Sequence, residues 1–293
     1  MRPAGRPRLL RPLRKAFLLY TLGFIGWTAL AQLSVVNVLA LIHAAIPAVT
    51  HSTSQGFNWS AFLIDPLMFV LWVFVAVTLV LWGRSIFCGW LCPFGALQEL
   101  TNRIAKLCRI PQFEVPWGLH ERLWPVKYMI FLALFGVSLY SLDLAEHYAE
   151  VEPFKTAIIL KFQRAWPFVA FAVALLLAGL FVERFYCRYL CPLGAALAIP
   201  ARLRMFDWLK RYRECGNPCH RCAKECMVQA IHPEGNINPN ECLNCLHCQV
   251  LYQHDQKCPV CIKKLAKRKR FEVQTGIAKP DAKAEKPVLA PAE

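Results

Sequence analysis

The stretch FCGWLCPFGALQEL, from Phe87 to Leu100, sets a Cys-x-x-x-Cys-Pro sequence directly after a long apolar segment. The stretch YCRYLCPLGAAL, from Tyr186 to Leu197, repeats that sequence after a second apolar segment. An arginine precedes each stretch, Arg84 in one and Arg184 in the other, with a gap of one residue in the alignment. We call the two stretches the first and second Cys-Pro units, and we interpret them as an internal repeat.

The composition favours a membrane protein. Of the 293 residues, 56% are hydrophobic, whereas soluble domains are about 45–50% apolar. The formal net charge of +15 could by itself indicate nucleic-acid binding. The Lys and Arg residues flank the apolar segments, however, as they do when they orient a chain in a bilayer. We therefore expect no nucleic-acid partner.

Four apolar segments are long enough to cross a bilayer, which takes about 20 helical residues. They are Ala16–Val38, Phe62–Trp82, Tyr128–Leu144 and Trp166–Val182. Basic residues are concentrated in residues 1–15, in residues 84–127 and after Glu183, whereas residues 45–60 have none. This positive-inside pattern places both termini and both Cys-Pro units at the cytoplasmic face. Because each unit follows a helix of the same direction, we predict two parallel pseudo-repeats in a four-helix transmembrane bundle.

The chain is predicted to have four parts and a mainly α fold. They are a basic cytoplasmic N-terminus (1–15), a four-helix membrane domain (16–205), a small cytoplasmic two-cluster ferredoxin-like domain (206–264) and a disordered basic tail (265–293). The third part is polar and has little apolar material for a core, so something other than hydrophobic burial must stabilise it. The tail is rich in Ala, Pro, Lys and Glu, a composition typical of disorder.

The cysteines of the third part are spaced like iron–sulfur ligands. The run CGNPCHRCAKEC contains Cys215, Cys219, Cys222 and Cys226, and CLNCLHCQVLYQHDQKCPVC contains Cys242, Cys245, Cys248, Cys258 and Cys261. Two-cluster ferredoxins use C-x2-C-x2-C-x3-C-P, and the fourth cysteine of each run binds the other cluster. The second run begins with this spacing, and its displaced fourth position, Cys258, is followed by Pro259. A reducing cytoplasm disfavours disulfides.

Crossing the fourth ligands predicts two [4Fe-4S] clusters. One set is Cys226, Cys242, Cys245 and Cys248, and the other is Cys215, Cys219, Cys222 and Cys258. Cys261 is an alternative to Cys258, because the two lie three residues apart. Zinc is an alternative metal, since paired C-x2-C sequences also bind zinc, but three cysteines in a C-x2-C-x2-C row crowd a tetrahedral site.

The cysteines of the two Cys-Pro units, Cys88, Cys92, Cys187 and Cys191, form a candidate shared metal or redox site. Positions i and i+4 share one face of a helix, and a proline fits where helical hydrogen bonding ends. The alternative is that they are reduced thiols that pack the helix ends. Repetition of the unit favours a site.

These motifs together resemble the NosR/NapH family of membrane polyferredoxins, over about residues 14–264. The resemblance is closest to the C-terminal membrane-plus-ferredoxin half of NosR, on FCGWLCPFGALQEL, AQLSVVNVL at Ala31–Leu39, VQAIHPEGNIN after Cys226 and HDQKCP around Cys258. NosR-like proteins also carry a periplasmic flavin-binding domain before this region. Only fifteen residues precede the first apolar segment here, so we expect a separate partner to carry electrons on the periplasmic side.

The resemblance implies a multi-pass protein of the bacterial inner membrane that belongs to a quinol dehydrogenase-type system. It would pass electrons between the quinone pool and a denitrification-type reductase system through two [4Fe-4S] clusters. The implied partners are quinol, an inner-membrane redox protein with a periplasmic flavin or haem, and a terminal reductase such as nitrous oxide reductase or nitrate reductase. The alternative is a maturation factor that supplies electrons or handles metal for a copper- or other metal-containing reductase or oxidase. The sequence does not identify the catalytic residues, and whether the chain is itself an enzyme stays open.

Overall fold

The computed structural model describes residues 6–29, 33–50, 66–206, 209, 215, 219–252, 254 and 256–275. Within these ranges the chain is mostly helical, which confirms the mainly α class. In chain order the α-helices are α1 (Arg6–Tyr20), α2 (Val35–Thr50), α3 (Pro66–Trp82), α4 (Pro93–Leu107), α5 (Trp117–Leu123), α6 (Val126–Tyr140), α7 (Leu142–Tyr148), α8 (Trp166–Phe181), α9 (Phe185–Tyr189), α10 (Pro192–Ala198), α11 (Arg221–Lys224), α12 (His247–Tyr252) and α13 (Pro259–Gln274). Turns of π-helix occupy Thr21–Thr28, Phe87–Leu91 and Lys155–Ile159.

One helix of the described chain is long and apolar enough to cross a bilayer. It runs through α5 and α6, from Trp117 to Tyr140, over 24 residues. Three shorter apolar helices are Phe69–Trp82, Trp166–Phe181 and Pro192–Leu203. By length and composition the described residues thus support one membrane span, where the sequence predicted four. Two of the shorter helices end where the backbone leaves the helical conformation, at Gly83 with φ 82° and at the extended residue Val182.

Two of the predicted segments coincide with helices. The helix α8 matches the predicted segment Trp166–Val182, and α3 lies within Phe62–Trp82, whose first four residues are outside the described ranges. The predicted bounds Tyr128–Leu144 are wrong, because the helix starts earlier and ends at Tyr140. Ser141 then accepts a hydrogen bond from the backbone N–H of Leu144 at 3.4 Å and starts α7.

The first predicted segment, Ala16–Val38, is wrong as a single helix. The helix α1 ends at Tyr20 and continues as π-helix, whereas α2 begins at Val35. The carboxylate of Glu152 accepts hydrogen bonds from the Ser34 hydroxyl at 2.6 Å and the Val35 backbone N–H at 3.0 Å. A helix start leaves its first N–H groups without partners in the helix, so this buried carboxylate stabilises a new beginning there.

The two repeats pack reciprocally. The helix α4, which follows the first Cys-Pro unit, packs on α8 of the second repeat, and the 3-10 turn Pro200–Leu203 after α10 packs on α3 of the first. Three buried rings, Phe94, Phe154 and Tyr186, meet between the repeats at centroid distances of 5.3, 5.4 and 5.7 Å. Their edge-to-face arrangement stabilises the contact beyond the area that it buries.

Arg14, in the basic N-terminal segment, is buried rather than solvated. Its guanidinium contacts both carboxylate oxygens of Glu99 at 3.0 and 2.9 Å, and Arg184 donates to the same carboxylate at 2.9 Å. Burial alone would raise the pKa of Glu99, but the charges of Arg184 and Arg14 outweigh burial and hold the pKa at about 2. This ion cluster fixes α1 and the second repeat to α4.

The helix α13 extends past the predicted domain boundary at residue 264. Residues 265–274, predicted to be disordered, are helical. Lys and Arg favour helices, and Arg268 pairs with Glu272 one turn later at 2.7 Å. Residues 276–293 of the predicted tail lie outside the described residues.

We expect Glu99→Gln to destabilise the protein by about 3 kcal/mol near pH 7, because two buried guanidinium groups lose their shared carboxylate. The folded pKa of about 2 lies below the ordinary value of 4.5. The stability that Glu99 contributes is therefore present above pH 4.5 and is lost as the pH falls toward 2. Thermal unfolding in detergent, compared between neutral and acidic pH, measures this difference. The control is Glu272→Gln, on an exposed ion pair, and a pH-independent difference at Glu99 would contradict the prediction.

Candidate iron–sulfur centres

Two cavities in the cysteine-dense region are each lined by four cysteines. Cavity A has about 490 Å³ of empty space, part of it open to solvent, and its cysteines are Cys215, Cys219, Cys222 and Cys258. Ile231, Leu251 and Val260 form part of its apolar wall. Cavity A therefore brings together one of the two ligand sets that the sequence predicted.

Cavity B has about 390 Å³ of empty space, part of it open to solvent, and its cysteines are Cys226, Cys242, Cys245 and Cys248. Cys226 comes from the first cysteine run and the other three from the second, as the crossed pattern requires. Val228, Ala230 and Leu243 pack together as a buried apolar cluster beside it. Both predicted sets, including the crossed fourth positions, are thus assembled by the fold.

The donors of both cavities suit a [4Fe-4S] cluster. Four thiols around an apolar space are the usual ligand set. Within the described part of the chain, no three Cys, His, Asp or Glu side chains form a group that could hold a single metal ion. A cubane is larger than one ion, so its four ligands stand farther apart, around a cavity. The assignment of the eight cysteines as ligands stays a prediction.

The backbone of cavity B turns sharply around Cys245. Asn244 and Leu246, on either side of it, have positive φ angles of 46° and 63°. Such turns direct successive backbone N–H groups toward one side of the chain, where they favour bound negative charge. The N–H of Asn244 lies 3.4 Å from the sulfur of Cys242, so one donor already reaches a predicted ligand.

Cys261 lines neither cavity. Its Sγ contacts the carbonyl oxygen of Tyr252 at 3.1 Å. Cys258 is buried in the wall of cavity A. This placement favours Cys258 over Cys261 as the fourth ligand.

We expect Cys258→Ser to remove one cluster, and hence about four irons and four acid-labile sulfides per chain. Cys261→Ser is the matched control, three residues later and inside helix α13, and should keep the full content. Iron and sulfide analysis after anaerobic purification measures both. Loss of iron in the Cys261 variant alone would show that the two roles are reversed.

The Cys-Pro units do not form continuous α-helix. Cys92 and Cys191 are extended, with ψ of 111° and 105°, and they cap α4 and α10. Each sulfur accepts the backbone N–H of the glycine three residues on, Gly95 at 3.4 Å and Gly194 at 3.3 Å. The prediction that both cysteines of a unit share one regular helical face is therefore wrong, because the second cysteine begins a new helix.

An arginine of each repeat reaches the Cys-Pro unit of the other. Arg84 donates to the carbonyl of Gly194 at 3.3 Å, and Arg184 donates to the carbonyl of Cys88 at 2.9 Å. A Cβ at Gly194 would lie 3.0 Å from Nη1 of Arg84, and a Cβ at Gly95 would lie 3.0 Å from Nη1 of Arg184. The two glycines therefore make room for the crossed guanidinium groups.

Four thiols and two guanidinium groups share this region. A negative charge on Cys88 would raise the pKa of the Cys187 and Cys191 thiols further, in addition to the rise that burial causes. The positive charge of Arg84 would stabilise thiolates at Cys88 and Cys191. The positive charge of Arg184 would do the same at Cys187 and Cys92. Two buried cations would offset the negative charge of thiolates here. As in the rest of the described chain, however, these cysteines are not arranged to hold a single metal ion.

Cys187 also has a protein partner. Its sulfur contacts Oε1 of Gln98 at 3.1 Å. Burial raises the pKa of the Cys187 thiol to about 11, although Arg184 opposes the rise. A metal bound by Cys187 would have to displace this proton and the Gln98 contact.

Cavity B lies directly against the first Cys-Pro unit. A Cβ at Gly89 would lie 1.8 Å from the carbonyl oxygen of Leu243. Trp90 donates to the carbonyl of Asn244 at 3.1 Å, and the Asn244 side chain donates to the hydroxyl of Ser85 at 2.6 Å. Cys88 packs against the same apolar cluster as two cysteines of cavity B. The predicted shared site and one predicted cluster site are therefore neighbours.

A buried ion cluster that the sequence did not reveal lies at this junction. The carboxylate of Glu241 accepts from Arg84 at 3.3 Å and from the Tyr128 hydroxyl at 3.2 Å, and it pairs closely with Lys127. Arg84 also donates to the carbonyl of Asn240. Glu241 precedes Cys242 directly, but nothing local in the sequence shows that its partners come from the helical domain.

We expect Gly89→Ala to separate cavity B from the first Cys-Pro unit, because the added methyl group meets a backbone carbonyl that cannot rotate away. Electron paramagnetic resonance (EPR) of the reduced protein should show a shifted or broadened signal from one cluster. Gly136→Ala is the control, since a Cβ there meets nothing within 4 Å. Identical spectra for the wild type and Gly89→Ala would contradict the close approach.

Known protein families match both the region that contains the Cys-Pro units and the cysteine-dense region that follows it. The NosR family model matches residues 213–269. A 4Fe-4S binding domain model matches twice, at residues 64–111 and 164–212. Each of these matches contains one Cys-Pro unit, so the predicted internal repeat is confirmed.

The regulatory protein NosR of Pseudomonas aeruginosa is 60% identical over 263 residues, which cover 90% of this chain and 36% of NosR. Protein NirI of Paracoccus denitrificans is 53% identical over 273 residues, which cover 93% of this chain and 38% of NirI. The chain belongs to the NosR family. The resemblance of the motifs to NosR is thereby confirmed, and the chain spans little more than a third of these two relatives.

A more distant relative of this NosR family member is YccM of Escherichia coli, whose name proposes a role in electron transport. It is 28% identical over 244 residues, which cover 81% of this chain and 62% of YccM. No solved structure matches.

Proposed function

We propose that this chain passes electrons between the quinone pool and a denitrification-type reductase system. The NosR and NirI matches and the repeated 4Fe-4S binding domain support iron–sulfur electron transfer. The observation that carries the proposal is the position of cavity B, which contacts the first Cys-Pro unit through Gly89 and Leu243. When bound, the two clusters would each take up and release one electron.

The residues around the cavities have separate roles in this proposal. The eight cysteines of cavities A and B supply the thiolate ligands. Val228, Ala230 and Leu243 exclude water from one side of cavity B, since all three are buried. Glu241 and Arg84 hold that side against the helical domain, so the distance between cavity B and the Cys-Pro units is fixed.

The cysteines of the Cys-Pro units would continue the electron path as a shared redox centre. Cys88 adjoins cavity B, and it also packs against the buried apolar cluster that contains Cys191 of the second unit. Arg84 and Arg184 would stabilise the thiolate form of these ligands. The match of a 4Fe-4S binding domain to each unit supports iron–sulfur chemistry here.

The proposed location is the bacterial inner membrane, with several passes and both termini in the cytoplasm. The helix from Trp117 to Tyr140 and three shorter apolar helices support membrane placement. The concentration of Lys and Arg around the Cys-Pro units supports their cytoplasmic position. The proposed partners are an inner-membrane protein with a periplasmic flavin or haem and a terminal reductase.

The first experiment is anaerobic reduction of the purified protein by decylubiquinol, with dithionite as the reference reductant. We expect both reductants to produce the EPR signal of reduced [4Fe-4S] clusters. Reduction by dithionite but not by decylubiquinol would overturn the quinone link and favour a maturation role. Absence of iron with stoichiometric zinc would overturn electron transfer altogether.

The same preparations test the shared centre. Two cubanes account for about eight irons per chain, and we expect more than eight in the wild type. The double variant Cys88→Ser/Cys187→Ser should return to about eight and keep the EPR signals of the ferredoxin-like domain. Cys108→Ser, at an exposed cysteine, is the control. Eight irons in the wild type would contradict a third iron centre.

A further inference from the structure

A third cavity, cavity C, lies beside cavity B. Only one of the eight predicted ligand cysteines is part of its lining. It is open to solvent, and its empty space, including the open part, is about 990 Å³. Its lining comes from the end of α4, the segment after it, the end of α8, helix α9 and the middle of the ferredoxin-like domain. Cys226, which also lines cavity B, forms part of this lining. A ligand in cavity C would therefore touch a predicted cluster ligand.

The charges that line cavity C cancel. Lys106, Arg188 and Lys224 face an equal number of carboxylates, Glu114, Glu183 and Glu225. One ion pair lies within the lining, Lys106 with Glu183 at 2.9 Å, and Nε2 of His247 contacts the carboxylate of Glu225 at 2.8 Å. A balanced lining does not favour a polyanion such as a nucleotide. It favours a ligand that is neutral overall.

The mouth of cavity C carries two exposed aromatic rings. Phe113 and Phe181 are 63% and 42% exposed, and their centroids are 6.0 Å apart. Phe181 is the last residue of the apolar helix α8. In the proposed topology this position is the cytoplasmic edge of the membrane, where an amphipathic ligand from the bilayer would arrive.

The aromatic wall is held firmly. The N–H of Phe113 donates to the carbonyl of Phe181 at 3.0 Å. The side chain of Gln112 donates to the carbonyl of Leu180 at 2.8 Å and accepts from Asn102 at 2.7 Å. The segment after α4 is therefore bonded to the end of α8, and the two rings are presented by a fixed backbone.

A buried donor in the lining has no acceptor. The side chain of Arg188 is 6% exposed and lines cavity C. The Nη2 atom of Arg188 donates to Oε1 of Gln229 and lies 3.2 Å from Nδ1 of His120. The Nε–H of Arg188, however, has no hydrogen-bond partner among the described residues. Leaving such a group unpaired in the protein interior is unfavourable. An uncharged acceptor such as a carbonyl oxygen would satisfy it.

We propose that cavity C binds the headgroup of a quinone, with its ring at Phe113 and Phe181 and a carbonyl oxygen toward Arg188. This inference rests on the proposed function, and it adds the site at which quinol would deliver its electrons. Oxidation of a bound quinol releases two electrons, one for each cluster, and the first would pass through the wall at Cys226. The two protons leave to water at the open side of the cavity.

The test compares the full-length wild type with Phe113→Ala and Arg188→Lys, which removes the Nε donor and keeps the charge. Phe271→Ala is the matched control, an aromatic residue that is 62% exposed on α13. Stopped-flow reduction by decylubiquinol should be at least tenfold slower in the two cavity variants and unchanged in the control. Reduction by dithionite should be complete in all four proteins, which shows that their clusters are intact.

Photolabelling with an azidoquinone gives a second readout that does not depend on electron transfer. We expect mass spectrometry to find the label in the peptides that contain Phe113 or Phe181. Normal reduction of both cavity variants, or labelling elsewhere only, would overturn the site and leave the proposed function standing. Failure of decylubiquinol to reduce the wild type would instead overturn the proposed function and this inference with it. If Arg188→Lys does not fold, Phe113→Ala and the label still decide the result.

Discussion

The crossed contacts of Arg84 and Arg184 are the interaction on which the rest of the structure depends. Each guanidinium leaves its own repeat and donates to a carbonyl in the other Cys-Pro unit. Both arginines are buried, so each needs a carboxylate nearby, and Glu241 and Glu99 supply them. One pair of cations thus joins the two repeats, orients the cysteine turns and fixes where two further elements attach.

The ion pairs of these two carboxylates determine where the predicted redox sites lie relative to one another. Glu99 brings α1 to the helical domain through Arg14, and Glu241 brings the second cysteine run to it through Arg84. Because Glu241 is adjacent to Cys242, the ion cluster determines where cavity B lies relative to Cys88. Electron transfer falls steeply with distance, so a rigid ion cluster is a suitable way to hold two redox sites together. The absence of a side chain at Gly89 then allows backbone to approach backbone.

Much of the candidate site could be predicted from the sequence. The C-x2-C-x2-C spacing and the displaced Cys258 indicated two crossed sets, and the fold gathers those sets around cavities A and B. Short spacings are predictive because a few residues of loop can only place their thiols around one small volume. The helix positions of α3 and α8 followed from apolar length. The start of α2 directly after Ser34 could not be predicted in this way. The carboxylate that stabilises this helix start belongs to Glu152, which is far along the chain.

The internal repeat, the family and the grouping of the cysteines could all be read from the amino-acid sequence, since all three depend on local spacing. Only the tertiary structure decided that Arg14 is buried, that Cys261 lies outside cavity A, and that residues 265–274 continue a helix. It alone formed cavity C from segments that are distant in sequence. The physical reason is that ion pairing, close backbone approach and cavity shape arise between segments that meet only on folding, whereas the spacing of ligands along one loop is fixed by covalent geometry.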